Sequence, residues 1–154
     1  MNFSSPGIAD FGAFCVEPLQ DLSYGQTLIY QVQNTSTLAN ANTIARLVGG
    51  YLASSRTNLD AAAVQWAIWE TTTESLATDS LFTGDVRIIG SANASLANLA
   101  NQYLANVNSY APATLSYLTN STSQDVVTWT TVPEPTSAVL GGLSCLLLLR
   151  RRRA

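Results

Sequence analysis

The sequence predicts an α+β domain. Short antiparallel strands form a sandwich or partial barrel with helices packed on one side, and a C-terminal apolar helix follows. Three observations carry this expectation: two-residue alternation of apolar and polar side chains early in the chain, apolar residues at helical spacing through its middle, and a largely apolar, uncharged segment near its end. At 154 residues the chain is long enough for one domain with its own core, assigned to residues 1–131, followed by a tail at 132–154.

Taken in order, residues 11–17 and 26–33 have strand character. In the second, Leu28, Tyr30 and Val32 alternate with Ile29, Gln31 and Gln33 behind a Tyr24-Gly25 turn, so the two are expected to pair as a hairpin. A polar connector, 34–42, leads to a helix capped by Asn42 or Thr43 and running to about Ser54, with Ile44, Leu47, Val48, Tyr51 and Leu52 on one face. Gly49-Gly50 weakens this helix but permits close packing. A second helix is expected from Asn58 as N-cap, with Asp60 favourable to the dipole of its first turn, and it fades in Thr71-Thr72-Thr73. An apolar passage, 81–89, precedes an amphipathic helix marked by Leu96, Leu99, Tyr103, Val107 and Tyr110 and ended by Pro112. Strands at 115–118 and 126–131 then flank an Asn-Ser-Thr-Ser turn, and Pro133 closes the domain.

Composition excludes several function classes. The hydrophobic fraction, 47%, is ordinary, but charged residues make up only 11%, less than half the usual share, so solubility rests on Ser, Thr, Asn and Gln. Net charge is −3, and four of the seven basic residues, Arg150 to Arg153, lie at the end of the chain. An acidic body without a basic patch argues against nucleic acid as a partner. The chain has no histidine, which removes the usual general base of Ser-His-Asp and Cys-His catalysis and the commonest zinc ligand. Neither an enzyme, a cofactor nor a metal site is expected. Lysine is also absent, so the chain lacks the ordinary amine nucleophile and the means to form a Lys-Asn isopeptide staple.

Two stretches stand out as chemistry-bearing. Residues 61–69, followed by Glu70, are apolar on every side of a helix except at Gln65, whose neighbours one turn away are Ala61, Ala62, Ile68 and Trp69. A buried primary amide left unpaired costs about 1–3 kcal/mol, so either the fold satisfies Gln65 or the side chain does chemistry. The second stretch is Phe14-Cys15-Val16, a cysteine between apolar neighbours. Together with Val64-Gln65-Trp66-Ala67-Ile68-Trp69 it resembles the thioester domains of bacterial surface proteins. In that family an aromatic-Cys-aliphatic strand supplies a thiol, and a Thr-Gln-x-Ala motif, often continuing to Ile-Trp, supplies the acyl group. Cys15 matches the thiol, and Gln65 and Ala67 match the second motif, supported by Ile68 and Trp69. Val64 stands in place of the threonine. The resemblance implies a Cys15–Gln65 thioester that an amine on a surface target or matrix polymer opens once per molecule, with Trp66 and Trp69 shielding it from water. Glu17, Glu70 and the tyrosines are the candidate bases.

At the other end, Pro133-Glu134-Pro135 is followed by an apolar segment, 136–149, and by Arg150-Arg151-Arg152-Arg153. This order resembles the PEP-CTERM sorting tail of Gram-negative bacteria, which implies transient insertion in the inner membrane with the arginines on the cytoplasmic side, and processing by an exosortase. The apolar run is shorter than the roughly 20 residues that span a bilayer comfortably, which suits a processed anchor. The start of the chain lacks the basic and apolar regions of a signal peptide, so export implies that a leader precedes the given sequence. Cys145 lies within the apolar segment and is an improbable disulfide partner for Cys15. The expected function is therefore that of an exported surface or matrix adhesin. The alternative is a non-reactive structural protein of an exopolysaccharide matrix.

Overall fold

The segment that dominates the core begins with a capping box. Thr57 accepts the backbone N–H of Asp60 through its hydroxyl, and Asp60 returns the bond to the Thr57 N–H at 2.9 Å. The N-cap is thus Thr57, one residue before the expected Asn58, because a hydroxyl three positions ahead of a carboxylate satisfies two end-of-helix donors at once. The computed structural model describes residues 2–5, 8–22, 25–74 and 80–129. Its strands are β1 (Asn2–Ser5), β2 (Ile8–Cys15), β3 (Gln31–Gln33), β4 (Leu115–Thr119) and β5 (Val126–Trp129). Its helices are α1 (Ala41–Ala53), α2 (Asn58–Thr73) and α3 (Ala94–Ala105).

The class is α+β, with short antiparallel strands and helices on one side. The strands form one sheet in the order β1-β2-β5-β4-β3, and every neighbouring pair is antiparallel. The expected pairing of residues 11–17 with 26–33 does not occur, since β4 and β5 lie between β2 and β3. The 26–33 stretch pairs only over Gln31–Gln33, and Ile29 and Val32 are exposed, so its alternation marks an edge rather than an inner strand. The hairpin around Asn120–Asp125 is found as expected. Asp125 pins it, accepting the Asn120 N–H and the Tyr117 hydroxyl.

Two-residue alternation sorts the sheet's side chains. Phe14, Val16, Leu115, Tyr117, Val127 and Trp129 pack with the helices, while Ala13, Cys15, Leu118 and Val126 face the other way. On the helical side Ile44, Leu47 and Val48 of α1 and Ala63, Val64, Ala67 and Ile68 of α2 are buried. Phe14 stacks on Trp129 at 5.3 Å and meets Tyr51 edge-on at the same distance, which ties α1 to the middle of the sheet. Helix α1 starts after Asn40, earlier than the expected Asn42 or Thr43, with Asn40 in the left-handed region at φ 56 and its side chain donating to the Thr71 carbonyl. Gly49 gives the expected close approach: a Cβ there would overlap the Ala111 carbonyl oxygen. Helix α3 contributes Ala97, Ala100, Tyr103 and Leu104 to the core. Its small residues, which the larger apolar markers obscured, let α2 lie close. Among the described residues no helix is long and apolar enough to cross a membrane. The expected C-terminal helix, Pro133-Glu134-Pro135 and Arg150 to Arg153 lie outside the described residues.

Candidate functional site

Among the described residues β1 pairs with β2 between Ile8 and Gly12, and β2 runs on to Cys15. Opposite, Cys15 faces Val126 of β5, and the ladder bond beyond it runs from the Val16 N–H to the Asp125 carbonyl at 3.0 Å. In an antiparallel ladder such alternation turns the peptide groups of Cys15 away from β5. They meet the side chain of Gln65 instead. The Cys15 N–H donates to Gln65 Oε1 at 2.9 Å, and Gln65 Nε2 donates to the Cys15 carbonyl at 2.8 Å, across 50 positions of sequence. The carboxamide thus occupies the place of a neighbouring strand's peptide. This answers the question posed by a polar residue on an apolar helix: both halves of the head group are satisfied by one residue, and that residue carries the thiol.

Cys15 is fully buried, and burial pushes its thiol from an ordinary 9.0 up to about 11, so the sulfur is held protonated at neutral pH. Its cluster contains Ala13 and Val126, with Leu22, Tyr30, Leu118 and Trp69 packed against it. Trp69 stands one turn beyond Gln65, packs against this cluster and meets Trp66 edge-on at 5.4 Å and 81°. Of the motif-supporting residues, Phe14, Val16, Val64, Ala67 and Ile68 lie in the helical core, where they fix β2 and α2 rather than touch chemistry. Val64 is fully buried there, a position that suits an isopropyl group better than the hydroxyl of threonine.

The candidate bases separate. Glu17 accepts the Asp125 N–H at 3.1 Å, and Glu70, fully buried, accepts the Ser80 N–H at 2.8 Å; both carboxylates hold backbone. Among the tyrosines, Tyr30 packs against the cysteine cluster and donates its hydroxyl to the Gln124 carbonyl at 3.1 Å. Burial raises its ionisation above the ordinary range, opposed by a bond with the Ser123 side chain, and the charge of a Cys15 thiolate adds to the rise. Sequence reasoning did not single out Tyr30, because the alternation that contained it pointed to a strand. Nearby, a cleft of about 620 Å³ is lined by Glu17, Gln20, Gln31, Thr119, Asn120 and Asp125, among others. Among the described residues no group of three or more His, Cys, Asp or Glu side chains is placed to hold a metal ion. The chain matches no family model, no curated protein and no solved structure.

Proposed function

We propose that this chain is an exported surface or matrix protein whose Cys15 and Gln65 condense to an internal thioester that captures an amine on a target. The observation that supports it most is the two-point pairing of the Gln65 carboxamide with the residue bearing the thiol, at 2.9 and 2.8 Å. In the condensation the sulfur adds to the Gln65 side-chain carbonyl carbon, the thiol proton passes to the amide nitrogen, and ammonia leaves. A target amine then attacks the same carbon, an amide forms, and the proton returns to sulfur as the Cys15 thiol. Because the thiol is protonated, proximity rather than a thiolate drives the first step. Oriented intramolecular groups reach effective molarities of about 10⁵–10⁸ M. The event occurs once per molecule, so it is adhesion rather than turnover. Export through the tail, with exosortase processing near Pro133-Glu134-Pro135 and a transient inner-membrane stage, belongs to the same proposal and rests on the order of those residues in the sequence.

A non-reactive matrix protein is the second reading, favoured by the same two hydrogen bonds, which also satisfy Gln65 as a structural amide. Intact mass decides between them. A thioester leaves freshly purified protein one ammonia lighter than its sequence, and methylamine then adds to Gln65, as located by peptide mapping. Full sequence mass with amide retained at Gln65 and no methylamine uptake would overturn the adhesin. Thiol alkylation is a poor discriminator, since a buried, protonated Cys15 resists reagents in either state.

A further inference from the structure

The indole of Trp69 is a hydrogen-bond donor and nothing else, and its Nε1 is buried with no hydrogen-bond partner. Buried donors are rarely left so, and one beside a candidate reaction centre calls for an explanation. Trp69 follows Gln65 by four residues, which puts both on one face of α2, and its ring packs against the Ala13–Cys15–Val126 cluster. Trp66, edge-on at 5.4 Å, limits where that ring can turn. Gln65 Oε1 accepts the Cys15 N–H at 2.9 Å, and a carbonyl oxygen has a second lone pair. When sulfur adds to the carbonyl carbon, that carbon becomes tetrahedral and its oxygen takes up the negative charge, so a second donor gains most at that moment.

We propose that the Trp69 indole N–H and the Cys15 backbone N–H together hold the oxyanion formed on Gln65 Oε1, both when the thioester closes and when an amine opens it. This rests on the thioester reading given above. The indole N–H keeps its proton throughout; the thiol proton goes to the departing ammonia in the first step and returns from the attacking amine to sulfur in the second. The donor explains why the helix carries a tryptophan one turn after the glutamine, where any bulky side chain would exclude water equally well.

The test uses the full chain with Trp69 replaced by 3-benzothienylalanine, which exchanges N–H for sulfur at nearly constant shape, alongside Trp69→Phe. Loss of one oxyanion donor is expected to slow methylamine opening by about 10²–10³-fold, and to slow hydrolysis in the same proportion, with the melting temperature unchanged in the benzothienyl protein. A benzothienyl protein that folds but stays at full mass also supports the role, because closure passes through the same oxyanion. A wild-type chain that shows the mass deficit, with a benzothienyl variant reacting at the wild-type rate or hydrolysing faster, overturns the donor and leaves the thioester standing. Full mass with intact amide in the wild type overturns both.

Discussion

Helix α2 grips non-helical backbone at two places, and the contrast between them lies in what stands beside each bond. At its middle, Gln65 gives and receives a hydrogen bond with the peptide of Cys15. At its end, Glu70 accepts from Ser80, and Glu74 accepts from Asp85 and Val86, tying the 80–86 segment to the helix. Gly84, at φ 93, lies so close to the Glu74 carboxylate that a Cβ would collide with it. Both grips satisfy buried polar groups, and by that measure they are alike. They differ in what accompanies them: the carboxylates accept backbone N–H groups of Ser80, Asp85 and Val86, whereas the carboxamide meets a residue whose side chain is a nucleophile. A carboxylate is also a poor acyl donor, so the same architecture at Glu70 and Glu74 has no reaction open to it.

The largest expected effect breaks the middle grip chemically. Cys15→Ala abolishes both the mass deficit and methylamine uptake, while Glu74→Gln leaves them in full; mass spectrometry of the two proteins side by side checks this. Next comes the end grip, where Glu70→Ala leaves the Ser80 N–H without its acceptor and a void at a fully buried position. A loss of about 2–4 kcal/mol in denaturant unfolding is expected, with thioester formation retained. Gln65→Ala is milder, about 1–3 kcal/mol from the stranded Cys15 peptide, and it removes capture altogether. If Gln65→Ala were stability-neutral, the carboxamide would not be serving as a strand's substitute.

Two pH effects sharpen the comparison further. In the uncondensed form, the folded thiol ionises near 11 against 9.0 ordinarily, so its contribution is whole below pH 9 and is lost as the pH rises through 11. Cys15→Ala flattens that part of the alkaline stability profile, and so does condensation. The smallest effect concerns the start of α2. The Thr57 hydroxyl, more than any other partner, holds the Asp60 carboxyl below its ordinary range, so this cap stabilises above that range and fades as the pH falls through it. Asp60→Asn is expected to cost under about 1 kcal/mol at neutral pH and to reduce the acid dependence, measured by thermal melts from pH 2 to 7.

Much of this was legible in local patterns. Helical spacing located α1 and α2 to within a few residues, and turn chemistry located the β4–β5 hairpin, because each depends on neighbours close in sequence; α3 ends at Ala105, short of the expected Pro112, with a separate 3-10 turn at Val107–Ser109. Strand partners were not legible. Nothing in residues 26–33 reveals that β4 and β5 separate them from β2, since that depends on contacts some ninety positions away. For the site, the apolar surroundings of Gln65 announced a buried amide, and a cysteine between apolar residues announced the strand. That the Gln65 side chain meets the peptide groups of Cys15 depends on the β2–β5 register, which no single stretch encodes.

That pairing has a stereochemical consequence. To meet an N–H and a C=O of one residue, the carboxamide must present its oxygen together with the hydrogen lying on the oxygen's side of the C–N bond. Only a primary amide has a hydrogen there at no cost. A trans N-substituted amide carries its substituent at that position, and the cis form costs about 2.5 kcal/mol. In the proposed reaction, the amide formed with a target amine would be barred from the edge of β2 that the Gln65 carboxamide occupies. The product carbonyl would lack the two-point anchor of its primary-amide form, which would disfavour the reverse attack. On the proposed function, the pairing would act as a one-way gate, admitting the reactant and excluding the product.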